Sequence, residues 1–452
     1  ILDIINRLML GIDIFTGLSF AYVIVPLSAV LCRILKGQLR TWALAAVSLF
    51  FCFFSQSFSL VFIILLIALD YVAVKIIIQN NNKPRIRKLC MFFAVTKGMA
   101  AMCGSLFAAE LNNSPAVIGV VVCALSGIEA VLEAYKRECE EVDFAAFMLY
   151  CVFFPRLYTG PLCTYKDFAS QLKTDGIKKQ SIFTGTSVFI KGIFKAAVMG
   201  KGLLEIYLSI LNIPKEDATV ISSWALAVVF ALTVYFVLSG LSEIAQGIGK
   251  MLGIALPQNF YYPYQSRSIS DFFERFNMTI TAFLKHRVCG DMLNGSFAKS
   301  VFGMLVLCIF SGLFFGISTN IIAWGIYMAL FMAMEKYIYK KAVENIPTLI
   351  VRFFTACVVI LGFAIISAEN LTMAAKNIKI MYSFGTIAPY YNNKILYILS
   401  SNWLIILLAC FFATNIINIV ATWLRKSVPK IYAVFDVVLD LAFLFVYTVM
   451  SL

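Results

Sequence analysis

The sequence predicts an all-α integral membrane protein that crosses the bilayer many times, on three observations: its composition, its long uncharged runs, and the lack of strand periodicity within them. Of the 452 residues 61% are hydrophobic and 13% charged, and the mean hydropathy is +0.89. Too few polar side chains remain to coat a globule in water. Uncharged runs cover residues 14–32, 41–69, 111–128, 218–242, 300–334 and 395–424, where about 20 apolar residues suffice for one crossing. The longest of these have room for two passes each. Weaker runs at 89–109, 144–155, 181–213, 353–368 and 431–452 raise the expected total to roughly ten to thirteen membrane segments, re-entrant or interfacial helices included. A β-barrel is excluded, because a barrel strand alternates with period two.

The net charge is +13, and the excess is clustered: Arg33, Lys36 and Arg40; Lys83, Arg85, Arg87 and Lys88; Arg425, Lys426 and Lys430. Such clusters beside apolar runs mark cytoplasmic ends and lipid-headgroup contact rather than a nucleic-acid surface. The first two flank the run 41–69, which is therefore expected to hold a helical hairpin turning near Gln56, Ser57 and Ser59. Asp3, Arg7 and Asp13 interrupt any apolar leader core, so no cleavable signal peptide is expected. The twelve cysteines are scattered, with no C-x-x-C pair, and the chain has one histidine. Neither a metal site nor a disulfide framework is indicated. A thiol–imidazole dyad of Cys289 with His286 is disfavoured, spacing alone being weak evidence.

Without repeats or low-complexity linkers, residues 1–452 read as a single membrane domain. Two segments within it, 156–180 and 257–295, are too polar to span lipid and are expected at an interface or in a water-filled vestibule. In the second, helical periodicity over 271–287 predicts an amphipathic helix capped by Ser270. Phe272, Phe273, Phe276, Ile280, Phe283 and Leu284 form its apolar face, and Glu274, Asn277, Thr281 and Lys285 its polar stripe. Either the stripe lies in interfacial water, or the helix lines a polar cavity, which makes Arg267, Glu274, Thr281 and Lys285 candidate channel residues.

Several ordered motifs then point one way. Phe153-Phe154-Pro155-Arg156-Leu157-Tyr158-Thr159-Gly160-Pro161 is followed by Tyr165-Lys166-Asp167-Phe168 and Gln171-Leu172, then by Gly192-Ile193-Phe194-Lys195 and by Tyr235-Phe236 with Ser239-Gly240 and Ser242-Glu243. The strongest stretch is Leu252-Gly253-Ile254-Ala255-Leu256-Pro257-Gln258-Asn259-Phe260, continuing through Tyr262-Pro263-Tyr264 to Ser268-Ile269-Ser270-Asp271-Phe272. Gly312-Leu313-Phe314-Phe315-Gly316, Trp324-Gly325-Ile326-Tyr327 and Ala368-Glu369-Asn370-Leu371 follow. In this order and spacing the chain resembles the membrane-bound O-acyltransferases, in the bacterial branch of alginate O-acetylation and of D-alanyl transfer to teichoic acids. The resemblance implies a plasma-membrane enzyme with no bound cofactor. An acyl thioester, acyl-CoA or acyl carrier protein, would serve as co-substrate, a hydroxyl of an extracellular polysaccharide or lipid as acceptor, and an extracellular acyltransferase- or esterase-like protein as partner.

The resemblance also implies a catalytic histidine at the position held here by Phe315, with a polar helper at Asn277. The helper is kept in kind; the base is not, since phenylalanine accepts no proton. A further histidine of the pattern is Met328 here, and an aspartate is Val237. His286 is a candidate displaced base, although on an unbroken helix it would face away from Asn277, and Lys285 and Arg287 beside it would disfavour an imidazolium. Glu243 is a second candidate, or else simply a partner of Lys250. Two functions stay open: a transferase with a displaced base, and an inactive relative serving as scaffold or channel for a partner.

Overall fold

In lipid, a run of apolar residues can satisfy its backbone N–H and C=O groups only within itself or in a closed barrel, and this chain does so with helices. The computed structural model describes residues 2–55, 60–112, 118–158, 160–173, 179–339 and 345–451. Among these, seven helices are long and apolar enough to cross a membrane: Leu60–Gln79, Pro84–Ala108, Lys179–Leu211, Val220–Met251, Thr319–Tyr339, Thr348–Ile366 and Pro429–Ser451. Two bent pairs, Ile4–Thr16 with Phe20–Ile34 and Asn393–Ser401 with Trp403–Phe412, raise the number to nine. The expected ten to thirteen segments are reached only with the shorter apolar helices Gly37–Phe53, Phe144–Arg156 and Phe297–Gly312.

The run 300–334 divides into Phe297–Gly312 and Thr319–Met334, as its length requires. The run 41–69 divides between Gly37–Ser55 and Leu60–Gln79, and its expected turn at Gln56, Ser57 and Ser59 lies outside the described residues. By contrast, 395–424 does not make two straight passes. It bends by 63° at Asn402, whose side chain bonds back to the Ile398 carbonyl at 2.9 Å, and then continues as the separate amphipathic helix Ile416–Ser427.

The most extensive packing joins the helix Lys179–Ile193 to the long central helix Val220–Met251. Gly185 and Gly192 on the first meet Gly240 and Gly247 on the second, each pair seven residues apart. A Cβ on Gly247 would lie 2.6 Å from the Phe189 backbone nitrogen and 2.7 Å from the Gly185 carbonyl oxygen. The backbones touch because no side chain stands between them. A buried ion pair, Lys97 with Asp70 at 2.6 Å, joins Pro84–Asn112 to Leu60–Gln79, as charges at membrane depth do when they neutralise each other. On the outside, Val434, Val438, Leu441 and Phe445 of Pro429–Ser451 are exposed, the face of a lipid-bordering helix.

Candidate active site

The two polar segments singled out in the sequence meet around a vestibule of about 1000 Å³, walled by Leu162, Cys163, Thr164, Asp167 and Gln171 from the first and by Pro257, Thr279, Phe283, His286 and Arg287 from the second, with Ala255 and Leu256 just before it. The first segment is fixed from within the protein. Arg156 is fully buried and held by neutral groups: it donates to Ser126 Oγ at 2.9 Å and to the Tyr150 carbonyl, and its guanidinium lies 4.3 Å from the Tyr150 ring centroid. The helix Tyr165–Leu172 starts on Thr164, whose hydroxyl accepts from Asp167 N at 3.1 Å. The Glu133 carboxylate accepts from Tyr165 N at 2.7 Å and Lys166 N at 3.1 Å, satisfying N–H groups that a helix start leaves free.

The second segment is not the single helix expected over 271–287. It forms two short helices, Ile269–Arg275 and Met278–Phe283, followed by the wider turn Leu284–Val288. Between the two helices Asn277 adopts a left-handed conformation with φ of 54°, which asparagine tolerates better than most residues. Tertiary contacts override the helical pattern here. Fully buried Asn259 offers its backbone oxygen to Met278 N at 2.8 Å and its side-chain oxygen to Thr279 N at 3.1 Å and Thr279 Oγ1 at 2.8 Å. Phe260 pairs with Phe276 in an isolated antiparallel bridge. Thr279 Oγ1 in turn accepts from Leu162 N at 3.1 Å, so one hydroxyl ties the two polar segments together. The cap is Ser268, which accepts from Asp271 N at 3.0 Å, and not Ser270.

A charged clamp forms the rim. Arg287 holds Glu129 at 2.7 Å and Glu138 at 2.8 Å, donating three hydrogen bonds to the first carboxylate and two to the second. The Arg287 guanidinium beside Glu138 holds that carboxyl below the ordinary glutamate range.

The sequence-derived candidates are distributed as follows. His286 is exposed and lines the vestibule; because the helix breaks at Asn277, the expectation that it turns away from Asn277 does not apply. The charge of Arg287, expected to oppose an imidazolium, is engaged by the two glutamates. Glu243 pairs with Lys195 of the neighbouring helix and not with Lys250, since Lys195 meets it across the glycine seam. Arg267 is exposed, Glu274 and Lys285 pair with each other at 2.6 Å, and Thr281 is buried. None of these four is among the residues lining this vestibule.

Asn277 Oδ1 is buried and has no hydrogen-bond partner among the described residues. Its neighbour Phe276 lies 6.1 Å from the Phe363 ring, and Phe363 lies 6.5 Å from Phe315, which is 7% exposed and also packs on Trp324 at 6.3 Å. Positions 277 and 315 thus border one aromatic cluster. The side chain of Phe314 lies outside the described residues. Sequence reading missed Glu129, Glu138 and Asn259. The glutamates carry no local pattern, whereas Asn259 stood inside the strongest motif.

Comparison with known proteins agrees with this architecture. Residues 85–375 match MBOAT, the membrane-bound O-acyltransferase family, a span that contains the vestibule and both positions 277 and 315. The chain is 26% identical over 275 residues to the probable alginate O-acetylase AlgI of Pseudomonas aeruginosa, covering 60% of this chain and 52% of that protein. It is 24% identical over 261 residues to the peptidoglycan O-acetyltransferase of Helicobacter pylori (56% and 49%). It is 21% identical over 279 residues to the teichoic acid D-alanyltransferase of Bacillus subtilis (57% and 70%). The chain spans about half the length of the first of these relatives. With a matching family span over well more than half its length, on an all-helical scaffold whose two polar segments meet at one vestibule, the chain belongs to the membrane-bound O-acyltransferase family.

Proposed function

We propose that the protein transfers an acyl group from a thioester donor, acyl-CoA or acyl carrier protein, to a hydroxyl of an envelope polysaccharide or lipid, and does so slowly because position 315 carries no proton acceptor. The observation that carries this reading is the vestibule, where both family-like polar segments converge and the only imidazole of the chain, His286, stands on the wall. In the transfer, the acceptor oxygen attacks the thioester carbonyl, the C–S bond breaks, the thiol leaves, and the hydroxyl proton passes to a base. Such a base contributes about 10²- to 10⁴-fold in rate when its pKa is near the working pH, and His286 is the imidazole on the vestibule wall. Asn277 is not on the vestibule wall, so for its amide N–H to steady an oxyanion the reacting groups would have to reach past the wall toward it. The relatives named above are called after acetyl and D-alanyl transfer to envelope polymers, which supports a small acyl group and a polymer acceptor here. An extracellular acyltransferase- or esterase-like partner would complete delivery to the polymer.

A second reading, a catalytically inactive homologue acting as scaffold or channel, is favoured by one observation: Phe315 is packed against Trp324 and Phe363 where the family pattern has its base. One experiment separates the two. Transfer from labelled thioester donors to envelope glycans is measured in membranes carrying the wild type, His286→Ala, Glu243→Gln or Phe315→His. The expected wild-type rate is well below the ordinary enzyme range of about 1 to 10³ s⁻¹, is lost in His286→Ala and is unchanged in Glu243→Gln. Phe315→His should raise it by about 10²- to 10⁴-fold. A wild-type rate of zero, with gain only in Phe315→His, would establish the inactive homologue instead.

A further inference from the structure

A second cavity, of about 570 Å³, lies apart from the vestibule at the seam between the family-matching region and the C-terminal helices beyond residue 375. Its inner wall comes from Lys179–Ile193, the turn after it and the central helix; its outer wall comes from Trp403–Phe412, Ile416–Ser427 and Pro429–Ser451. The volume falls within the range of about 300–1000 Å³ usual for ligand sites. Most of the lining is apolar, and an aromatic back wall is set by Phe194 stacked on Phe443 at 4.0 Å with Phe412 beside both. Pro429–Ser451 turns its opposite face outward to lipid, so this cavity borders the bilayer. Tyr262, held at φ of 46°, lines its edge, and strained backbone of that kind concentrates at ligand clamps.

The charged groups of the lining are mutually paired, with Gln246, Gln258 and Asn418 beside them. Lys191 lies 2.7 Å from Asp436 and 3.6 Å from Asp440, and Lys195 pairs with Glu243. On the wall itself two ammonium groups, Lys191 and Lys195, therefore face two carboxylates, Asp436 and Glu243. A purely anionic headgroup would gain the lysines but leave the two carboxylates it displaces without a partner. A headgroup carrying both a phosphate and a primary ammonium can exchange with both members of a pair, its phosphate taking a lysine and its ammonium the carboxylate so released. We propose that this cavity binds one acyl chain of an ethanolamine-headed glycerophospholipid, with the headgroup at Lys191, Asp436 and the Lys195–Glu243 pair. This site is independent of transfer chemistry at the vestibule.

The test is native mass spectrometry of the full chain, delipidated in detergent and then exposed to equimolar dioleoyl phosphatidylethanolamine and dioleoyl phosphatidylglycerol. The wild type should retain one phosphatidylethanolamine with at least about a tenfold preference, equivalent to a difference of about 1.4 kcal/mol. Ala421→Trp, which fills the cavity from Ile416–Ser427, should lower that occupancy about tenfold. Asp436→Asn, which keeps the shape and removes one acid, should shift the ratio toward phosphatidylglycerol. Equal or better binding of phosphatidylglycerol by the wild type would overturn the proposal, as would undiminished binding in Ala421→Trp or displacement of the lipid by stoichiometric palmitoyl-CoA. If Ala421→Trp does not yield folded protein, an unchanged lipid ratio in Asp436→Asn overturns it alone.

Discussion

At the scale of single residues, the site depends on one buried amide. Asn259 accepts three hydrogen bonds from Met278 and Thr279 and so holds open the helix break at Asn277. Asn259→Ala removes the side-chain acceptor and leaves the Thr279 N–H without it, at a cost of about 1–3 kcal/mol for a buried unsatisfied donor. The expected result is a lower melting temperature in detergent together with a changed accessibility of His286 to diethyl pyrocarbonate. An unchanged melting profile with unchanged His286 modification would show that the break is held by other contacts. Residue identity alone pointed to Asn277 and Phe315; the ring of Phe276, beside Asn277 in the chain, is linked to Phe315 through Phe363. It did not point to the clamp, because Glu129, Glu138 and Arg287 meet across more than 140 residues of sequence.

At the scale of elements, periodicity was a sound guide to long helices and a poor one to the polar segment. Helical spacing over 271–287 is present in the sequence, but Asn259 and the Phe260–Phe276 bridge outcompete the intrahelical bonds at Asn277. The glycine seam shows the reverse case, where close packing follows directly from residue type. Gly247→Ala puts a Cβ against the backbone of Phe189 and Gly185, which cannot yield by a side-chain rotation. It should destabilise the protein by about 1–3 kcal/mol, the usual overpacking cost. Gly104→Ala, whose Cβ would have no neighbour within 4 Å, should be neutral or gain up to about 1 kcal/mol from helix propensity. Thermal unfolding of both variants in one detergent compares them directly; equal melting temperatures would remove the seam as a constraint.

At the scale of the whole molecule, the charge clusters predict orientation. Single cysteines introduced near Lys36 and near Arg85, in a background lacking Cys32 and Cys90, should both be labelled by an impermeant maleimide only from the cytoplasmic side. Labelling from opposite sides would show that Gly37–Ser55 and Leu60–Gln79 do not form a hairpin. The sequence by itself determined that this is a multi-pass helical membrane protein of the O-acyltransferase family. Burial of backbone groups in lipid leaves few solutions for such long apolar runs, and the motifs of the family are read in order along the chain. Only the tertiary structure decided how the parts meet: that Glu243 answers Lys195 and not Lys250, that His286 reaches the vestibule, and that the C-terminal helices enclose a second cavity. Those are contacts between residues far apart in sequence, and their energies depend on which helix faces are brought together. Local periodicity carries no record of that choice.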